Sequence, residues 1–101
     1  MTLKERIEMI EESTARRIKI MEKKGPVYAG KGGDVNSNFK RLAEHLGTTS
    51  QAICVVYMMK HIDAIVTYIQ TGRQTGEGVE GSLDDARNYL DILESLIMEG
   101  G

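Results

Sequence analysis

One cysteine, one proline, one phenylalanine and no tryptophan occur in 101 residues. The lone Cys54 excludes a disulfide within the chain, and its setting in Ala52-Ile53-Cys54-Val55-Val56 reads as a buried apolar thiol in a reducing compartment. His45, Cys54 and His61 are too few and too dispersed for a four-ligand structural zinc site, and neither a metal nor a cofactor is expected. No run of about 18 apolar residues is present, which predicts no membrane span. The segment from Met1 to Glu12 is charged at helical spacing and lacks the apolar stretch of a secretory signal. These absences together predict a cytoplasmic protein.

What is present places the chain among globular proteins: 41% of its residues are hydrophobic and 28% charged, enough for one core. A chain of this size buries roughly 65% of the surface its unfolded form exposes, which leaves a lone monomer marginal and predicts a homo-oligomer. The net charge of −2 hides a division along the chain. Residues 16–41 carry eight basic side chains against two acidic ones, and residues 74–101 carry seven acidic against one basic. Such segments serve as solvated faces that attract one another within or between subunits, or they mark a local anion site. With a sequence pI near 5.7 the chain is poorly suited to gripping a long nucleic acid, so a small phosphate ligand is the better match.

Hydrophobic spacing predicts an all-α single domain over 1–101 with about four helices, a long N-terminal helix plus a compact bundle completed by oligomerisation. Leu3, Ile7, Ile10, Thr14, Ile18 and Met21 make a narrow stripe on a helical arm over 3–24. Gly25-Pro26 is expected to end it and to open a Gly-rich basic loop over 25–37, before a helical core over 38–99. Within that core, Phe39, Leu42, Ala43 and Leu46 share a face before the stop at Gly47. Thr48 or Thr49 then caps a third helix reaching about Thr71. On it Lys60, Asp63, Thr67 and Gln70 form a narrow polar sector in an otherwise apolar cylinder, which therefore needs cover on several sides. A loop is expected over 72–81, and Ser82-Leu83-Asp84-Asp85 offers a capping box for a fourth helix with a stripe of Leu83, Ala86, Leu90, Leu93 and Ile97.

Several residues carry possible chemistry. Gly25-Pro26-Val27-Tyr28-Ala29-Gly30-Lys31 matches seven positions of a P-loop, but Gly32 stands where the magnesium-binding hydroxyl belongs and no strand precedes it. A flexible backbone with Tyr28 and Lys31 beside Lys23 and Lys24 remains able to meet a phosphate. His61 projects inside the apolar arc of the third helix, with Tyr57 one turn before it, either as a hydrogen-bonded core imidazole or as a ligand contact. Cys54 and His61 lie two turns apart, too weak a pairing for covalent catalysis. Asp84 and Asp91 read as a solvated face. Asp85 lies at the border of the apolar arc near Tyr89, where it caps its own helix, meets Lys60 or His61, or holds a cation with Asp63. The tyrosines suit partly wet sites, in core packing or base stacking.

Three segments resemble one family together: Val35-Asn36-Ser37-Asn38-Phe39-Lys40-Arg41, Tyr57-Met58-Met59-Lys60-His61-Ile62-Asp63-Ala64-Ile65, and Glu80-Gly81-Ser82-Leu83-Asp84-Asp85-Ala86-Arg87-Asn88-Tyr89-Leu90. Over residues 20–97 the series is similar to the small phage and prophage proteins of nucleotide-modification-associated domain 1, all-α proteins reminiscent of MazG-type nucleoside triphosphate pyrophosphohydrolases. The resemblance implies a phage-encoded protein of the host cytoplasm that meets nucleotides, with Asn38, Lys60, His61, Asp63, Asp85, Asn88 and Tyr89 as site candidates. MazG-type enzymes gather carboxylates around magnesium, whereas this chain has Lys60, His61 and Asp63 on the corresponding helix, which implies direct anion binding without turnover. The expected ligand is a nucleotide or cyclic nucleotide, such as a host immune signal that a phage would sequester. Lys60 and the loop lysines would neutralise its phosphate, His61 and Asn38 would donate hydrogen bonds, and a tyrosine would stack on its base. The alternatives are a magnesium-dependent hydrolase or nucleobase-modification accessory using Asp63, Asp85 and Glu80, and a structural helical adaptor.

Overall fold

The computed structural model describes every residue except Thr75 and Gly101, with the side chains of Tyr28 and Lys31 also outside the description. Its described residues form four α-helices, one short 3₁₀ turn and no strand, the all-α architecture that the spacing predicts. They divide into two compact units, Met1–Val35 and Asn36–Gly101.

The first unit is built on α1 (Leu3–Ala29), which opens with a capping box. The Thr2 hydroxyl accepts from the Glu5 backbone N–H at 3.1 Å, and the Glu5 carboxylate accepts from the Thr2 N–H. The helix does not stop near residue 24 as expected. It continues through Gly25 and Pro26 to Ala29. Proline removes one N–H rung, to the Glu22 carbonyl, and Gly25 puts no Cβ against the proline ring, so the interruption costs less than the residue types suggest. The end comes instead at Gly30, where φ is 58°, followed by the 3₁₀ turn Gly30–Gly32 and by Gly33 in the left-handed region. Leu3, Ile7, Ile10, Ile18 and Met21 all remain exposed.

The second unit comprises α2 (Ser37–Leu46), α3 (Ser50–Thr71) and α4 (Gly78–Met98), with α3 packed against both of the others. Thr49 caps α3, its hydroxyl accepting from the Ala52 N–H at 3.1 Å. Helix α4 starts a full turn before the predicted Ser82, which is buried inside the helix and caps nothing. At Gly81 a Cβ would sit 3.1 Å from Glu77 Cβ and 3.3 Å from its Cγ, so the glycine leaves room for the Glu77 side chain over the first turn. A glycine inside a helix costs about 1 kcal/mol against alanine and is read from sequence as a break. Here it shapes the turn.

Ala43, Ile53, Cys54, Ala86 and Leu96 form the buried apolar centre, with Cys54 and Leu96 fully enclosed. Of the stripe predicted for α4, Ala86 is buried, but Leu83, Leu90 and Ile97, seven residues apart, are exposed. Helix α3 behaves similarly. Val55, Met59, Ile62, Val66 and Ile69 follow one another at spacings of four and three, and all but the half-buried Ile62 are exposed. One face of α3 is covered within the chain and a second apolar face is open.

An 18-residue window of α3 has a mean hydropathy of 1.5, so by length and composition this helix is able to cross a membrane, against the expectation drawn from the lack of an unbroken apolar run. Lys60 and Asp63 stand near its midpoint, where each charge would cost about 2.5–3.5 kcal/mol in a bilayer centre. That penalty favours protein, not lipid, as the cover for the open face.

Candidate functional site

The site grows from the contact of α3 with α4. Glu77, Gly81, Asp85 and Tyr89 recur every four residues along one face of α4, and α3 sets His61 against that row. His61 Nδ1 lies 3.4 Å from Asp85 Oδ2 and 3.8 Å from Glu77 Oε1. Its side chain is only 8% exposed, and among the described residues neither ring nitrogen makes a hydrogen bond. The imidazole stacks on Tyr89, with centroids 5.4 Å apart and planes 27° from parallel. Tyr89 in turn meets Tyr57 at 6.4 Å and the edge of Phe39 at 6.4 Å, and Phe39 meets Tyr57 edge to face at 5.9 Å. Four rings thus tie α2, α3 and α4 together and hold the imidazole in place.

Burial raises the Asp85 carboxyl above the usual carboxylate range, reinforced by a hydrogen bond to Glu77 and by the charges of Glu77 and Asp84, while His61 pulls the other way. The folded chain therefore binds a proton here that the unfolded chain releases earlier. Stability is greatest at and below the ordinary carboxyl value and falls as the pH rises through the raised one. Asp85→Asn removes this titration. Denaturant unfolding of the two proteins in chelator, from about pH 4 to about pH 7, is expected to show a steeper loss in the unsubstituted chain. Parallel curves would contradict the assignment.

Among the residues expected at a ligand site, the structure brings together His61, Asp85, Tyr89 and Tyr57. Of the two partners open to Asp85 it is His61 that Asp85 meets, while Lys60 and Asp63 are exposed and the imidazole faces two carboxylates. A phosphate would be repelled on that side of His61. Asn38 is exposed on α2, where its side-chain oxygen accepts from Arg41 Nη2 at 2.7 Å. Asn88 is half-buried on α4. The side chains of Tyr28 and Lys31 fall outside the described part. Asp84 is no solvated residue: it is buried, and its Oδ1 accepts from Arg87 Nη1 at 3.0 Å.

Glu77 is the member that residue patterns do not mark, and Phe39 is marked for the packing face of α2. Glu77 falls in the loop expected over 72–81, yet its spacing of four and eight from Gly81 and Asp85 becomes a shared face once α4 begins at Gly78. Together His61, Glu77 and Asp85 offer three ligand atoms within 4.8 Å of one another. Cys54 stays outside this chemistry. Burial pushes its thiol up, and its Sγ donates to the Tyr89 carbonyl at 3.3 Å, the opposite of an activated nucleophile.

A separate polar corner joins the start of α2 to the end of α4. Asn36 Nδ2 donates to Ser95 Oγ at 3.0 Å and to Glu99 Oε1, and Lys40 Nζ reaches Glu99 Oε2 at 2.6 Å. This is one place where the basic and acidic halves of the sequence attract each other within the chain. Compared with known proteins, the chain matches no family model, no curated protein and no solved structure, and its own geometry is the ground for assigning it a function.

Proposed function

We propose that the chain works as a homo-oligomer that captures a phosphorylated nucleotide and holds it without turnover. The observation that carries the assembly is the open row Val55, Met59, Val66 and Ile69 on α3, whose alternation of four and three is the spacing that packs one helix against another. The same helix carries the ligand chemistry. Tyr57 is 44% exposed at the edge of the aromatic cluster, and Lys60 stands exposed one turn along. A ring open to stacking beside an exposed ammonium suits a base and its phosphate. The resemblance to nucleotide-associated phage proteins agrees with this chemistry, and sequestration of a nucleotide signal is the role it would serve in an infected cell.

Calorimetry with a panel of linear and cyclic nucleotides, in chelator, tests the proposal. Saturable binding is expected, with the ligand recovered intact after denaturation. Lys60→Ala should weaken binding by about tenfold, the loss of one charge-assisted contact, without changing the sedimentation coefficient. Silence across the panel with assembly intact would leave a helical adaptor in place of a sponge, and product formation would make the chain an enzyme.

A further inference from the structure

We propose that His61, Glu77 and Asp85 bind one divalent first-row metal ion of the manganese, iron or zinc class in each chain. Three observations carry this. The first is spacing: bonds of about 2.1 Å at tetrahedral or octahedral angles place neighbouring ligand atoms about 3.0–3.4 Å apart. His61 Nδ1 stands 3.4 Å from its Asp85 oxygen and 3.8 Å from its Glu77 oxygen, beyond a good N–H···O bond and close to the edge of a coordination polyhedron.

The second is the imidazole itself. Its side chain is only 8% exposed, and its Nδ1 lies 3.4 Å from Asp85 and 3.8 Å from Glu77 with no hydrogen bond to either. The third is Gly81, which leaves room for Glu77 to fold over the first turn of α4, on the helix face that carries Asp85.

The donor set chooses the class of ion. One imidazole and two carboxylates offset the charge of a divalent cation, and the nitrogen favours manganese, iron or zinc over magnesium and calcium, which prefer all-oxygen shells. Three protein ligands leave positions for water, and the half-exposed Glu77 marks the open side. The metal site does not depend on the nucleotide proposal, since it is measured without nucleotide and nucleotide capture is measured in chelator.

Mn²⁺ titrated into the full chain, followed by loss of the free-ion electron paramagnetic resonance signal, supplies the test. Saturation at one ion per chain is expected. Glu77→Gln should weaken binding at least about tenfold and Asp85→Asn at least about a hundredfold, since losing a direct ligand costs no less than the roughly tenfold to hundredfold seen on removing an outer-shell partner. Glu77 is exposed enough for Glu77→Gln to fold normally, which circular dichroism checks. No saturable binding, affinity unchanged by both substitutions, or displacement by an equal concentration of Mg²⁺ would each overturn the proposal.

Discussion

Val66→Glu is expected to leave the chain folded and to take the proposed homo-oligomer apart. Val66 is 42% exposed and sits in the middle of the open row on α3, so a longer polar side chain there meets water and not core, and a surface change of this kind moves chain stability by about 0.5 kcal/mol or less. In an assembly that seals the row, the same position becomes a dry seam. Each copy then contributes an unpaired carboxylate, and leaving such a charge uncompensated costs about 3–5 kcal/mol, a loss of affinity of about a hundredfold or more. Sedimentation velocity across a concentration series should therefore show the unsubstituted chain as an oligomer and the variant as a monomer, with the same helical circular dichroism. An unchanged oligomer would place the contact elsewhere, and a monomeric parent chain would remove the basis for the assembly.

Leu96→Ala should have the opposite profile. Leu96 is fully enclosed in the second unit, and deleting three buried carbons removes their transfer energy and leaves a cavity that packed neighbours fill only in part. The expected loss is about 3 kcal/mol, a large share of the roughly 5–15 kcal/mol that holds a typical domain together. For a unit of this size it corresponds to a drop of more than about 10 °C in Tm. Urea unfolding monitored by circular dichroism should show a lower midpoint with an unchanged slope. A loss under about 1 kcal/mol would mean that the centre of the unit lies away from Leu96.

The sequence and the structure agree where periodicity is strong and part where single residues seem to punctuate. The apolar cylinder of α3, its cap at Thr49 and the stop at Gly47 were all legible, because repeated spacing and capping chemistry are local. Two expected breaks failed for the same reason. Pro26 in α1 and Gly81 in α4 carry average penalties that a helix can absorb, Pro26 behind a residue without a Cβ and Gly81 beneath the Glu77 side chain. The site suffered accordingly. His61 beside Asp85 was among the open alternatives, whereas Glu77 was lost with the first turn of α4. Asp84 went wrong because projection on one helix says nothing of Arg87 reaching back to it.

The corner where Asn36 and Lys40 hold Glu99 has a consequence for how the second unit is put together. It clasps the first residue of that unit to one near its last, so the three helices form a closed circuit more than an open string. A short linker would join those two points with little strain, and the polypeptide would be free to begin instead at the turn between α2 and α3. For this unit the order in which the helices are strung is secondary to the ring they complete.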